Sequence, residues 1–423
     1  MTSLSVLLMT NIMGCLPTSR HHSLLCSAGS LGYHALKEML QNGKAGNTLL
    51  LESGDLIDVV GGGPGMAVVG PEEGSTTGNP NHHHICIIDV CDTNAHDEDL
   101  VDEEDGLTPI PEHTHRVYVY TNMKLLPFGL LGGCCSLEEI HFCNMSPTVT
   151  EDIQGAFLQG CGGLKSLHIC PLPLVKTIEG DFLEGCCCLE TLDLSPFSQV
   201  EEVQDSFLDG CCSIKELNLS PLSHVTEIQG SFLQGCSELS ALDLTPLTQL
   251  LSVSGHFLQG CSGLKTLNLA PLSKLTRIEV SFLKDCSGLE SLDLSPLSQV
   301  TSIEGYFLDG CSSLRAIDIS PLSRLRVVHD FFLGGCCSLT TLNLEPLSNV
   351  TAIHAHFLDG CSELKTLDFR ALSRVLHIQD FFLSNCYGLR GVDLSPLTLL
   401  SAIPDSLGSE WEEAVILPTH LRD

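Results

Sequence analysis

From Cys161 onward, apolar and polar positions return with a fixed period, the same residue type standing at every twenty-fifth position. Cysteine recurs at Cys161, Cys186, Cys211, Cys236, Cys261, Cys286, Cys311, Cys336, Cys361 and Cys386, and a phenylalanine stands four residues before each, from Phe157 and Phe182 to Phe382. Each unit reads approximately F-L-x-G-C-x-x-L-x-x-L-D-L-S-P-L-S-x-V-x-x-I-x-x-x. Ten units in one register are incompatible with chance. A period of this size means an array whose units bury their apolar faces against one another. The L-x-L alternation, as in Leu192-Asp193-Leu194, predicts a short strand with one buried face. The Ser-Pro that follows removes a backbone donor and turns the chain out of that strand. V-x-x-I, as in Val225-Thr226-Glu227-Ile228, returns along the opposite side, and F-L-x-G-C closes the coil, with Gly permitting a tight bend.

Both ends of the array decay while holding the motif. Adding 25 to Phe382, Cys386 and Leu389 gives Leu407, Trp411 and Ala414, a degraded final unit. Upstream, Leu130-Leu131-Gly132-Gly133-Cys134, then Leu137, Ile140 and Phe142, match the motif. The step from Cys134 to Cys161 exceeds the regular step by two positions, so that unit carries a two-residue insertion. Solenoids need atypical terminal units, because an identical one leaves an apolar face in water. The expected organisation is an N-terminal region over 1–96, an acidic linker over 97–116, a solenoid of about ten regular repeats with atypical caps over 117–417, and a tail over 418–423.

L-x-x-L-x-L with an upstream F-x-x-C and a downstream Pro resembles the BspA-like class of leucine-rich repeats, known from bacterial surface proteins and parasitic protozoa. The resemblance covers about 300 of the 423 residues. It implies a leucine-rich-repeat solenoid with short parallel strands and a role in protein–protein recognition, often at a cell surface. Two features depart from the pattern: Ala371 replaces the usual proline, and each unit is two positions longer than in many relatives.

Composition narrows the partner. Lys plus Arg total 20 against 52 Asp plus Glu, a formal charge of −32. Nucleic acid and anionic membrane surfaces both demand a basic footprint and are poor candidates. Apolar residues at 43 % imply a sizeable core. No apolar run reaches the ~18 residues of a membrane span. The mildly hydrophobic stretch from Leu4 to Leu16 has no Lys or Arg before it, so a secretory signal is not favoured even though Cys26-Ser27-Ala28 resembles a cleavage site.

The 22 cysteines raise the question of disulfides or metal. A slot fixed between a core Phe and a core Leu faces inward, so the ten column cysteines read as buried thiols acting as small hydrophobes. Cys187, Cys188, Cys212 and Cys337 fall nearer the surface, and none has zinc-type spacing with a second pair. Exposed thiols suit a reducing compartment, which slightly favours the cytoplasm. The alternative is a cell-surface or secreted adhesin, with a cleaved N-terminus, disulfides, and glycans at Asn144, Asn218 or Asn349.

A solenoid's function usually sits on side chains that packing does not need. The residue between the last two leucines of each strand points outward: His168, then Asp193, Asn218, Asp243, Asn268, Asp293, Asp318, Asn343, Asp368 and Asp393. Carboxylates about 5 Å apart repel by about 0.8 kcal/mol even in bulk water, and interleaved Asn doubles their spacing. Thr191, Thr266, Ser291, Thr341 and Thr366 flank this stripe, and Lys165, Lys215, Lys265, Arg315, Lys365 and Arg390 form a basic edge. The stripe from Asp193 to Asp393 is the expected docking surface for a protein partner, set against the plainer reading of a solvated face that blocks aggregation.

The first 116 residues carry no repeat. His82-His83-His84-Ile85-Cys86 with Cys91 and His96 are metal-capable but lack a matching second half. Gly61-Gly62-Gly63-Pro64-Gly65 resembles a dinucleotide fingerprint, yet turn-forming sequence follows where the mechanism needs a helix. A short helix around Leu31 to Leu40 is compatible with the sequence. Asp97 to Asp105 is acidic at seven of nine positions, which makes a solvated linker. No catalytic, metal or cofactor site is expected, and no enzyme activity.

Overall fold

The computed structural model describes residues 48–50, 56–59, 84–90, 114–121, 125–126, 128–143, 150–404, 406–407 and 414–421. The chain is a parallel-strand solenoid whose regular coils repeat at every twenty-fifth position. It falls into two units, residues 1–176 with 185–199, and residues 177–184 with 200–423.

The second unit holds the regular coils. Strands Thr177–Ile178, Glu202–Val203, Glu227–Ile228 and Ser252–Val253 pair in parallel, each residue with its equivalent in the next coil. The same column continues in Arg277–Ile278 with Ser302–Ile303, and in Val327–Val328, Ala352–Ile353 and His377–Ile378. The V-x-x-I segment is thus the steadier ladder. The L-x-L segment, from which a strand is expected in every coil, forms a ladder in this unit only where Glu216–Leu217 pairs with Ala241–Leu242 and Val392–Asp393 pairs with Val415–Ile416. Elsewhere it runs straight into a 3-10 turn at Ser-Pro-Leu, as at Ser295–Leu297 and Ser320–Leu322. Proline fits the first positions of such a turn because its N–H is missing where none is needed. Where Ala371 replaces it, Phe369–Leu372 still forms the turn, capped by Asp368.

Each coil closes through a pair of tight turns. In one coil Asp209 N–H donates to Ser206 O and Cys211 N–H to Leu208 O. They force the leucine before every Gly-Cys into left-handed backbone, with φ between 54° and 59° from Leu158 to Leu383. That costs roughly 1–2 kcal/mol for each L-residue. Full burial of the leucine and a backbone bond to the coil before, as Leu208 N–H to Phe182 O at 3.0 Å, hold it there. The glycine two residues on is also left-handed, as Gly235 at φ 71°, and it is this backbone conformation, which L side chains rarely adopt, that favours glycine there. Only Asp285 and Asn385 replace it from Gly160 to Asn385, at φ 57° and 58°, residue types that tolerate this region.

Phenylalanine and cysteine columns fill the interior. From Phe182 to Phe382 the rings are no more than 2 % exposed and stack at centroid distances of 5.4 to 6.1 Å. The column cysteines are buried, and each thiol donates to a leucine carbonyl of the preceding coil at 3.0 to 3.4 Å.

The first unit carries a six-stranded sheet. It begins with β1 (Thr48–Leu50), antiparallel to β2 (Leu56–Val59), and continues in parallel through β3 (His84–Val90), β4 (Thr114–Thr121), Glu139–Cys143 and Ser166–His168. Strand pairing therefore extends upstream of the expected start at residue 117. Ile140 pairs with Leu167 and Leu126 with Ile153, each step two positions longer than the regular one, which places the two-residue insertion between 140 and 153. At the C-terminal end Leu407, one regular step after Phe382, is buried, but Val392 pairs with Val415, two positions short of the regular step. The degraded unit is thus two residues shorter than the sequence register expects. No helix among the described residues is long and apolar enough to cross a membrane.

Candidate functional site

All nine residues of the expected stripe are exposed: Asp193 in the first unit, and Asn218, Asp243, Asn268, Asp293, Asp318, Asn343, Asp368 and Asp393 in the second. Each also has a local duty that the sequence reading missed. Its Oδ1 accepts the backbone N–H two residues on, at 2.8 to 3.0 Å, in an Asx turn that opens the Ser-Pro-Leu segment. Asp and Asn serve this turn equally, since both present an oxygen at the same reach. That equivalence explains their interchange down the column, and the Pro three residues later in every coil but that of Asp368 was the signal for it. At Asp193, Asp293 and Asp318 the second oxygen also accepts a serine hydroxyl, at 2.8 to 2.9 Å. Hydrogen bonds from Thr245 hold the Asp243 carboxyl below its ordinary pKa, and those from Ser295 do the same for Asp293.

In the second unit the residues from Asn218 to Asp393 are therefore a row of exposed acceptors on fixed backbone. Lys165, Lys215, Lys265, Arg315, Lys365 and Arg390 are exposed beside it. Lys165 pairs with Glu138 at 2.9 Å, and Lys215 lies 4.0 Å from Glu238. His168, where the stripe would begin, differs: its ring stacks on His141 at 4.5 Å. Glu139, His141 and His168 bring ligand-type atoms within 4.8 Å of one another, a grouping sequence spacing did not reveal because three coil positions on two strands create it. Both oxygens of Glu139 are engaged, Oε1 with His141 Nε2 and Oε2 with Arg116 Nε, each at 2.7 Å. A cation there has to break the first bond and face the guanidinium.

Of the extra cysteines, Cys187 and Cys188 are exposed, and Cys212 and Cys337 are half-buried. A second feature escaped the sequence reading, a ladder of partly exposed rings formed by Tyr306, Phe331, His356 and Phe381 with centroid spacings of 4.0 to 4.6 Å. The helix around 31–40, the glycines at 61–65, the acidic run 97–105, Asn144, and His82, His83, Cys91 and His96 lie outside the described residues.

The sequence profile of the BspA type leucine rich repeat region matches residues 151–290 and 276–402, in six copies. No curated protein matches the chain. Among solved structures, a leucine-rich repeat protein of Bacteroides ovatus is 17 % identical, covering 72 % of this chain and 84 % of its own, with a TM-score of 0.46. The functional domain of InlJ from Listeria monocytogenes, which includes a cysteine ladder, is 20 % identical over 68 % of this chain and 57 % of its own, with a TM-score of 0.38. A leucine rich cell surface protein of Faecalibacterium prausnitzii is 17 % identical over 66 % of this chain and 78 % of its own, with a TM-score of 0.40. With the profile spanning more than half the sequence and the coils built as its repeat requires, the chain belongs to the BspA-type leucine-rich-repeat family.

Proposed function

We propose that the chain is a non-catalytic protein-interaction scaffold that docks a partner along the Asp193–Asp393 column. The observation that carries this reading is the surplus charge of the column. An Asx turn needs one acceptor oxygen, and Asn supplies it at Asn218, Asn268 and Asn343. The six positions that hold Asp add a negative charge the turn does not require. Their side chains are pinned by the turn itself, so a partner loses little entropy in ordering them. A basic or hydroxyl-rich surface complements such a row.

The test replaces Asp243, Asp293 and Asp318 together by Asn, which keeps every turn and removes three charges. Affinity capture from the source organism's lysate is run with wild type and variant side by side. A partner held by wild type and lost by an equally stable variant is the expected result. Retention of every partner by the variant would assign the column to turn closure alone.

A further inference from the structure

The position just before each core phenylalanine holds Ser206, Ser231 and Ser281 in some coils, but Tyr306, Phe331, His356 and Phe381 in four successive ones. Their rings lie within 7° to 9° of parallel, at 4.6, 4.0 and 4.5 Å between centroids. The ladder stops at Phe381, which is 47 % exposed, because the next coil carries Ser406, without a ring.

The opposite end shows what caps such a ladder. Lys284 Nζ lies 4.9 Å from the centroid of Tyr306, donates to Asp309 Oδ2 at 2.6 Å and stands 3.5 Å from Asp285 Oδ2. A cation rests on the terminal ring while carboxylates beside it hold the charge. At Phe381 the ring and the acid are present without the cation. Asp359 is already engaged there, by His356 Nδ1 at 2.7 Å and Asn385 Nδ2 at 2.9 Å. Asp380 is exposed, and among the described residues its carboxylate has no hydrogen-bond or ion-pair partner. Asp380 and Phe381 line a shallow open groove of about 480 Å³ together with Ala355, Ile378 and Pro404.

We infer that the Phe381 end of this ladder is a docking site for an arginine side chain of a partner protein. A guanidinium lies flat on an aromatic face while its fork reaches a carboxylate, a combination that a lysine ammonium makes less well. The net charge of −32 favours the approach of a basic segment. The site uses a different column from the Asx stripe, so the two readings stand or fall separately.

Isothermal titration of the full chain with acetylated, amidated tetra-arginine at physiological salt tests the assignment. Phe381→Ser installs the residue that neighbouring coils carry at this position, and Phe381→Leu keeps apolar bulk should the serine variant fold poorly. Asp380→Asn removes the acid. Each substitution is expected to weaken binding about five- to tenfold with an unchanged melting temperature. In the Asp243, Asp293 and Asp318 triple Asn background Phe381→Ser is expected to produce the same fold loss as in wild type, and spermine is expected to be indifferent to Phe381→Ser. Equal affinity of wild type and the Phe381 and Asp380 variants overturns the site, as does disappearance of the Phe381→Ser loss in the triple Asn background, since either means the peptide does not read the ring. Absence of measurable peptide binding also overturns it, and a spermine affinity that falls with Phe381→Ser overturns the preference for arginine.

Discussion

At the scale of single residues, the cysteine column shows how much a slot can conceal. Periodicity identifies the position as inward and small. It does not say why cysteine stands there rather than alanine. The reason is the carbonyl of the left-handed leucine in the coil before: Leu208 O accepts Cys211 N–H at 3.2 Å and the Cys236 thiol at 3.4 Å. That backbone conformation is one leucine rarely adopts, so sequence propensities point away from it. Burial pushes the Cys161 and Cys286 thiols up to about 12, and raises Cys236, Cys261, Cys311, Cys336 and Cys361 well above the ordinary thiol value. Below the unfolded pKa of about 8.5 both states keep the proton, and stability does not respond to pH through these groups. Above it the unfolded chain releases protons that the folded chain retains, so stability falls by about 1.4 kcal/mol per pH unit for each thiol, until the folded pKa is reached. The urea midpoint is therefore expected to be flat from pH 7 to 8 and to drop steeply between pH 9 and 10. Ellman's reagent at pH 8 should find the column silent until denaturant is added. An unchanged midpoint at pH 10 would contradict the buried ladder.

At the scale of elements, the clearest difference between expectation and structure concerns the strands. L-x-L has the alternation of a strand and carries an Asx turn at its middle residue. Where it pairs in the second unit the run is only two residues long, as Glu216–Leu217 with Ala241–Leu242, and in most coils it passes unpaired into a 3-10 turn. V-x-x-I has no turn residue at its centre and pairs steadily with the next coil. The phenylalanine column was legible because a large apolar residue at one invariant spacing has nowhere to go but the core. Phe257 lies 5.7 Å from both Phe232 and Phe282 and is 1 % exposed. Replacing Phe257 by Ala leaves a cavity bounded by two rings that neighbouring coils hold in place, and a loss of about 3–5 kcal/mol is expected. A urea titration indistinguishable from wild type would remove Phe257 from the core.

At the scale of the whole molecule, the array depends on how it ends. In the second unit the last regular coil is closed by Val415–Ile416 on Val392–Asp393, with Val392 N–H to Ala414 O at 3.0 Å and Leu394 N–H to Ile416 O at 2.8 Å. Removing residues 414–423 bares that edge and the apolar side chains behind it, including Leu389 and Leu394. An uncapped solenoid edge is a template for self-association. Light scattering of the truncated chain is expected to show oligomers or aggregates where the full chain shows none, and a monodisperse truncated chain would show that the cap is dispensable. The charge of −32 opposes such association at low salt and is screened at high salt, so the difference should widen as salt is added.

The sequence by itself determined the solenoid, its period, the inward phenylalanine and cysteine columns and the outward Asp/Asn column, because each follows from which side chains can leave water. Only the tertiary structure decided what the columns do to one another. Stacking coils set the leucine carbonyl against the next thiol, turned the Asp and Asn oxygens back onto their own backbone, aligned four rings from Tyr306 to Phe381, and brought Glu139 and His141 against His168. Those contacts join residues a whole coil apart in the chain or close a turn through a side chain, and hydrophobic periodicity carries no information about either.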